Sequence, residues 1–335
     1  MNEAELLEAG RRGDEDAFGR LVAPYRSELH AHCYRMLGSI HDADDALQDA
    51  LFGAWRGLAN FEGRSSLRTW LYRITTNACL RFQAKRPRRV LSADYGPAIP
   101  PDGDLGEPVT GPVWLEAYPD DELSSAAPEA RYELRESVEL AFVAALQHLP
   151  ANQRAVLILR EVLGFSAAEV AGSLGTSVAS VNSALQRARR TVHERVPART
   201  QQATLRALGD EAERAFVDAI VAAWERADVD TVLGMLARDV RFTMPPLPAW
   251  FDGRDDVGVF LRERVFATPW RMAPTRANGQ LALLCYQGDG NGGFDLAALN
   301  VLTLDEHTRI TEITAFCDPA VVARFGRAQG SGGPR

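Results

Sequence analysis

The sequence predicts a multidomain chain: two all-α units followed by an α+β unit. Three observations predict it. At 335 residues the chain is long enough for two or three separate cores. Apolar residues at helical spacing fill residues 1–90 and return over 129–199, and the stretch between, 91–128, carries six prolines before Pro128 and little periodicity. From Ala203 a long helical pattern gives way to β-rich runs, and helices first with strands after is the α+β order.

Composition narrows the function class. No run of about 18 apolar residues exists, so no membrane span is expected. The start, MNEAELLEAGRRGDEDAF, is acidic and helical, unlike a cleavable signal. Four scattered cysteines without a CxxC pair, and a His30, His32, Cys33 group lacking further ligands at zinc spacing, argue against a metal or a disulfide framework. A reducing, cytoplasmic location and no cofactor are expected. The net charge of −8 argues against a protein that simply coats DNA. The charge is segregated, however. Gly63 to Ala93 holds eight basic residues and no acid, and Asp94 to Ala130 holds nine acids and no Lys or Arg. The acidic block would repel DNA or cover the basic block.

Element by element, Glu3 to Gly38 reads as two helices, with Leu6, Leu7, Phe18, Leu21, Val22, Tyr25 and Leu29 among the inward residues. The next helix, from Asp42, repeats Ala43, Ala46, Leu47, Ala50, Leu51, Ala54, Trp55 and Leu58 on one face. Asp44, Asp45, Gln48, Asp49 and Phe52 fall outside that stripe. The following stretch interleaves its cations with Phe61, Trp70, Tyr72 and Phe82. Cations attract phosphates, and ring faces stack on unpaired bases. The plainer reading is an amphipathic basic helix whose aromatics are core.

The pieces DADDALQDALFGAW, FEGRSSL and TWLYRITTNACLRF, in this order, resemble conserved region 2 of the bacterial sigma-70 family, in its extracytoplasmic-function group. The resemblance implies that the first helix docks on core RNA polymerase through Asp44, Asp45, Gln48, Asp49 and Phe52. It implies that the loop and second helix open and read the promoter −10 element through Phe61, Arg64, Ser65, Ser66, Trp70, Asn77, Arg81, Lys85 and Arg86. Loop residues would hold a base flipped from the stack. The family usually has Phe then Leu in the docking helix, where this chain has Leu51 then Phe52. Within the linker, WLEAYPD (Trp114–Asp120) keeps Trp and Tyr close together. A solvated segment does not usually do so, and a short anchor on a folded domain is expected.

Helical periodicity returns with Leu134, Val138, Phe142, Ala145 and Leu149, and Pro150 breaks it. A second helix ends at Gly164. Ser166 with Glu169 three residues on forms a capping-box pattern, Gly175 supplies a turn, and Ser177 can cap a longer helix with Val181, Ala184, Leu185, Ala188 and Val192 inside. That is a helix-turn-helix pattern. LPANQRAVLILREVLGFSAAEVAGSLGTSVASVNSALQRAR resembles sigma region 4, which reads the −35 element. Asn182, Ser183, Gln186, Arg187 and Arg190, off the inner face, would contact base edges or phosphates.

The third unit, 203–326, reads as a long helix with Leu205, Leu208, Ala212, Phe216, Ile220 and Trp224, a short helix Val232–Ala237, a strand Val240–Met244, a helix Asp255–Phe266, and β-rich runs at Met272–Gln287, Phe294–Leu304 and Arg309–Cys317. AFVDAIVAAWERADVDTVLGMLARDVRFTMPP, WFDGRDDVGVFL and ITEITAFCDPAVVARFG resemble the SnoaL-like polyketide cyclases of the cone-shaped superfamily that includes ketosteroid isomerase. Members place a carboxylate or a His–Asp pair in an apolar pocket. Asp295, His307, Asp318 and Tyr286 are the candidates here, none in a motif that fixes its role. His307 follows two acids in a hairpin-like turn, and Asp318 before Pro319 suits a helix cap.

These readings give sigma region 2 over 1–90, an acidic linker over 91–128, a region 4 helix-turn-helix over 129–199, a SnoaL-like domain over 203–326 and a disordered glycine-rich tail over 327–335. The expected function is an alternative sigma factor with no catalytic step. Its partners are core RNA polymerase and promoter DNA, with room for a small-molecule ligand in a regulatory C-terminal domain. The alternative is a cyclase or isomerase fused to a DNA-binding module.

Overall fold

The computed structural model describes residues 2–123 and 134–326. The chain divides into two compact units, one of residues 1–89 and 122–197, the other of residues 90–121 and 198–335. The tail 327–335 and residues 124–133 lie outside the described residues.

The first unit is helical. Three helices, not two, precede residue 38: α1 (Glu3–Arg11), α2 (Glu15–Val22) and α3 (Arg26–Leu37). Gly13, at φ 93°, turns the chain after α1, and the Asp14 side chain caps α2 by accepting from Ala17 N at 2.9 Å. Pro24 sits in the tight turn Ala23–Tyr25 that separates α2 from α3. Gly38 at φ 70° ends α3, and Ser39 caps α4 (Ile40–Gly57). Ser66 caps α5 (Leu67–Gln83), its hydroxyl accepting from Thr69 N. The buried side of α4 is Ile40, Asp42, Ala43, Ala46, Leu47, Ala50 and Ala54, largely the stripe read from the sequence.

The helix-turn-helix part follows as α6 (Leu140–Gln147), α7 (Ala151–Leu157, continued by a wider turn to Val162), α8 (Ala167–Leu174) and α9 (Val178–His193). The capping box is present at both of its bonds, Ser166 N to Glu169 Oε2 (2.8 Å) and Glu169 N to Ser166 Oγ (3.2 Å). Gly175 takes the left-handed turn at φ 63°. This part packs directly on α3 and α5. The Tyr72 and Phe165 rings meet edge to face at 5.4 Å, and the Arg68 guanidinium lies 4.9 and 5.1 Å from their centroids. Gln147 Nε2 donates to the Arg35 carbonyl at 3.3 Å, and Arg154 donates to the Met36 carbonyl.

The second unit opens with α10 (Gln201–Leu208) and α11 (Asp210–Glu225). The single long helix expected here is broken at Gly209, whose φ of 80° no helix accommodates. Asp228 then caps α12 (Val229–Met235) through Thr231 N at 3.1 Å. A six-stranded sheet follows in the order β2–β1–β6–β5–β4–β3, with β1 (Leu236–Thr243), β2 (Trp250–Asp252), β3 (Trp270–Ala277), β4 (Gln280–Gly288), β5 (Phe294–Leu304) and β6 (Ile310–Phe316). It is not wholly antiparallel, since β1 runs parallel to β6. The apolar run Met272–Gln287 is a hairpin rather than one strand. Asn278 (φ 55°) and Gly279 (φ 68°) make its two-residue turn, the geometry that matches strand twist. α13 (Arg254–Glu263) packs on β1, α11 on β3, and α14 (Pro319–Gly326) on β5 and β4. The core joins Ile220 and Trp224 to Phe251, Phe260, Leu283, Cys285 and Ile313.

The linker stretch belongs to this second unit. Ile99 N donates to the Trp250 carbonyl (3.0 Å), Trp250 Nε1 to the Gly96 carbonyl (2.8 Å) and Val109 N to the Pro246 carbonyl (2.9 Å). WLEAYPD is its most buried part. Leu115, Ala117 and Tyr118 are fully enclosed. Tyr118 exchanges two bonds with Asn278, its N–H to Asn278 Oδ1 at 2.9 Å and its carbonyl from Asn278 N at 2.8 Å, and Asp120 accepts from Gly279 N. The anchor therefore docks on the C-terminal domain, at the tip of the β3–β4 hairpin.

Candidate protein and nucleic-acid interfaces

On α4, Asp44, Asp45, Gln48, Asp49 and Phe52 are all exposed. Phe52 is 62% exposed, the largest value among the big apolar side chains described. Leaving that ring in water forgoes about 1.5–3 kcal/mol of burial, so the position suits a partner surface. Leu51 beside it is half-buried, so the order Leu51 then Phe52 still puts one apolar side chain outward. An open groove of about 660 Å³ runs along this face, lined by Glu15, Phe18, Arg26, Asp44, Gln48 and Phe52 among others. Asp44 is fixed by His30 Nε2 at 3.1 Å, and His32 is buried and bonded to Thr76 Oγ1 at 2.9 Å. The two histidines are thus part of the helical packing.

The loop before α5 is exposed at Arg64, Ser65 and Ser66. Arg64 pairs with Glu62 at 2.9 Å, and Ser66 is occupied as the cap of α5. Phe61 and Trp70 are placed differently from the expectation. Each is 7% exposed, and their rings lie 4.9 Å apart. They meet each other inside and form the support of the loop rather than its contact surface. The apolar stripe of α5 explains this, because Leu67, Trp70, Leu71, Ala78 and Cys79 share its buried side. On the outer side, Arg81, Lys85 and Arg86 are exposed and Asn77 half-exposed. Arg86 also pairs with Asp42 at 3.2 Å, and the same carboxylate takes a bond from the buried Arg89.

On α9, Asn182, Ser183, Gln186, Arg187 and Arg190 are all exposed, opposite the buried Val181, Leu185 and Ala188. Arg189 pairs with Glu161 at 2.6 Å. The outer side of α9 is thus a row of donors and acceptors on a helix whose first turn is free for a groove.

Residues 21–89 match the family model for sigma-70 region 2, and residues 139–192 match that for sigma-70 region 4. The extracytoplasmic-function RNA polymerase sigma factor SigG of Mycobacterium tuberculosis is 40% identical over 322 residues, covering 94% of this chain and 84% of that protein. The chain belongs to the extracytoplasmic-function sigma factors. A sigma factor of this kind directs RNA polymerase to promoters in transcription initiation. The crystal structure of Mycobacterium tuberculosis SigJ shares the fold, with a TM-score of 0.56 at 21% identity over 89% of this chain and 95% of that one. A SnoaL-like protein from Burkholderia thailandensis matches 30% of the chain and 91% of its own length at 19% identity and a TM-score of 0.26.

In the C-terminal domain of the sigma factor, Asp295 and His307 are exposed and Tyr286 is half-buried. Asp318 accepts from Ala320 N at 2.8 Å and so caps α14. A carboxylate that the sequence did not single out is Glu312 on β6. It is half-buried, and burial pushes its pKa up while Arg241 opposes the rise. It also accepts from Thr314 Oγ1. Strand alternation could not have found it, because Glu312 adjoins the fully buried Ile313 and so belongs to the opposite face of β6. Among the described residues no helix is long and apolar enough to cross a membrane.

Proposed function

We propose that this sigma factor grips core RNA polymerase through the exposed side of α4. On this reading the loop 62–66 with the outer side of α5 meets the −10 strand, and the outer side of α9 reads the −35 element in the cytoplasm. The carrying observation is Phe52, left in solvent beside four polar side chains on the outer side of a helix whose other side is packed. Phe61 and Trp70 position the loop from inside, and Arg64, Asn77, Arg81, Lys85 and Arg86 supply the contacts. Run-off transcription with core polymerase and the full-length chain tests this reading. Selective starts from a promoter are expected, and their absence at any protein concentration refutes it.

We further propose that the C-terminal domain regulates this activity and carries out no reaction. Its hold on residues 90–121, the tether between the two sigma regions, favours regulation. A cyclase or isomerase reading needs a carboxylate facing substrate in a dry cavity. Asp295 and His307 face solvent, and Glu312 faces Arg241 and Thr314, with Asp94 of the linker in electrostatic range. Deleting 203–335 is expected to change run-off yield from the same promoter. Unchanged yield removes the regulatory role.

A further inference from the structure

A second cavity, of about 270 Å³, opens where the C-terminal end of α5 meets the start of the helix-turn-helix part, within the first unit. Four arginines line it, Arg86, Arg88, Arg89 and Arg154, against the single carboxylate of Asp42. Both oxygens of Asp42 are taken, one by Arg86 and one by Arg89. Arg154 is 5% exposed and, among the described residues, bonds only neutral acceptors: the Met36 carbonyl, Gln147 Oε1 (2.6 Å), the Gln147 carbonyl (3.1 Å) and the Leu149 carbonyl (3.2 Å). Arg88 meets His148 Nδ1 at 3.1 Å and has no carboxylate partner among the described residues. Arg195 approaches the other ring nitrogen of the same histidine at 3.2 Å. A neutral imidazole has one acceptor nitrogen, so it cannot accept from both arginines. Burial and the neighbouring Arg88 push the Arg154 guanidinium down to about 10. An enclosed cation without a counter-charge is costly, and an anion in the cavity removes that cost.

We propose that this cavity is a binding site for a small phosphate-bearing anion, held by Arg88 and Arg154 with His148. A cavity of this size has room for about nine waters, enough for two linked phosphates, and it opens to solvent on one side. Its walls come from α5 and the segment after it on one side and from α6–α7 on the other. A bound anion therefore favours the arrangement in which the two sigma regions are packed together. The site rests on this packing alone and does not depend on the polymerase and promoter assignments.

The test uses the full-length chain, with pyrophosphate as the probe at constant ionic strength. Thermal unfolding is followed for wild type, for Arg88→Gln, and for Arg12→Gln as a charge-matched control on exposed α1-end surface. A saturable rise in Tm is expected in wild type and in Arg12→Gln, with the midpoint weakened at least ten-fold in Arg88→Gln. No saturable rise, or an equal weakening in both variants, overturns the proposal. A parallel arm replaces pyrophosphate with a short DNA duplex. If the duplex alone shows the Arg88 dependence, these cations are a DNA contact and the proposal fails.

Discussion

Substituting Asn278 tests how firmly the tether is held. Asn278 is fully buried at the tip of the β3–β4 hairpin, at φ 55°, and its side-chain oxygen is the acceptor for the Tyr118 N–H. Asn278→Ala removes that acceptor and leaves a donor without a partner under a fully enclosed Tyr118 ring, at a cost of about 1–3 kcal/mol. Alanine also resists the left-handed backbone, by about 1–2 kcal/mol. Together the loss is about 2–5 kcal/mol, and Asn278→Gly, which tolerates the backbone, should lose only the first part. If the loss falls on local release of the linker, the released population rises about 25-fold or more. Proteolysis reads this population directly. The stretch Asp94–Ala130 has no Lys or Arg, so trypsin cannot cut there, but a glutamate-specific protease can cut after Glu116, which Ala117 follows. Wild type should be protected, Asn278→Ala cut fastest and Asn278→Gly intermediate. Equal cutting of all three, with equal thermal stability, would show that Tyr118 and Asn278 do not hold the linker.

Four further outcomes follow from the same structure. Trp70→Ala should cost about 3–5 kcal/mol in chemical unfolding, as expected for a large ring removed from a core, and a loss below 1 kcal/mol would return Trp70 to the surface. Phe52→Ala, or Asp45→Ala with Gln48→Ala, should weaken co-purification with core polymerase and leave Tm unchanged; unchanged co-purification would sink the docking assignment. Arg187→Ala should lose about 1–3 kcal/mol on the cognate −35 sequence only, and equal loss on every sequence would make it a phosphate contact. His32 is held neutral, its pKa pushed down to about 3 by burial and by Arg35 and Arg68, so the unfolded chain takes up its proton first as pH falls. Stability of the helical unit is then full above pH 6.5 and lost progressively toward pH 3, by about 2 kcal/mol between pH 7 and 5, and His32→Gln should remove that slope in urea titrations.

Legibility in the sequence followed the range of the forces involved. Helix stripes, caps and the helix-turn-helix were readable because they depend on residues three or four apart, as Ser166 with Glu169 and Ser177 with Ser180 show. Breaks were missed where one glycine decided them, at Gly13 and Gly209, because a single positive φ leaves no periodic trace. The exposed rows on α4 and α9 followed from the same stripes, read from their other side. Phe61 and Trp70 were harder. An aromatic in a basic stretch can stack on a base or on another side chain, and only the tertiary position of a residue nine along the chain separates the two. The cation cavity was not readable, since Asp42, Arg88 and Arg154 are brought together by packing over more than a hundred residues.

The packed helical unit bears on how such a chain works. In the first unit the two sigma regions touch, with Tyr72 and Phe165 at 5.4 Å. Promoter elements named −10 and −35 are about 25 base pairs apart, or about 85 Å of duplex at 3.4 Å per step. A unit whose two reading helices belong to one packed body cannot span that distance, so reading both elements requires the regions to part. Residues 90–121 would supply about 110 Å of reach if fully extended, at about 3.4 Å per residue. While Tyr118, Asp120 and Ile99 hold them on the C-terminal domain, that length is withheld. The energy that keeps the linker docked therefore enters the cost of opening, together with the Arg68–Tyr72–Phe165 contact and the packing around Arg154. On the proposed docking through α4, polymerase and promoter binding together would have to supply at least that sum. A C-terminal domain that releases the strap lowers the threshold, and one that tightens it raises the threshold, without touching DNA or polymerase itself.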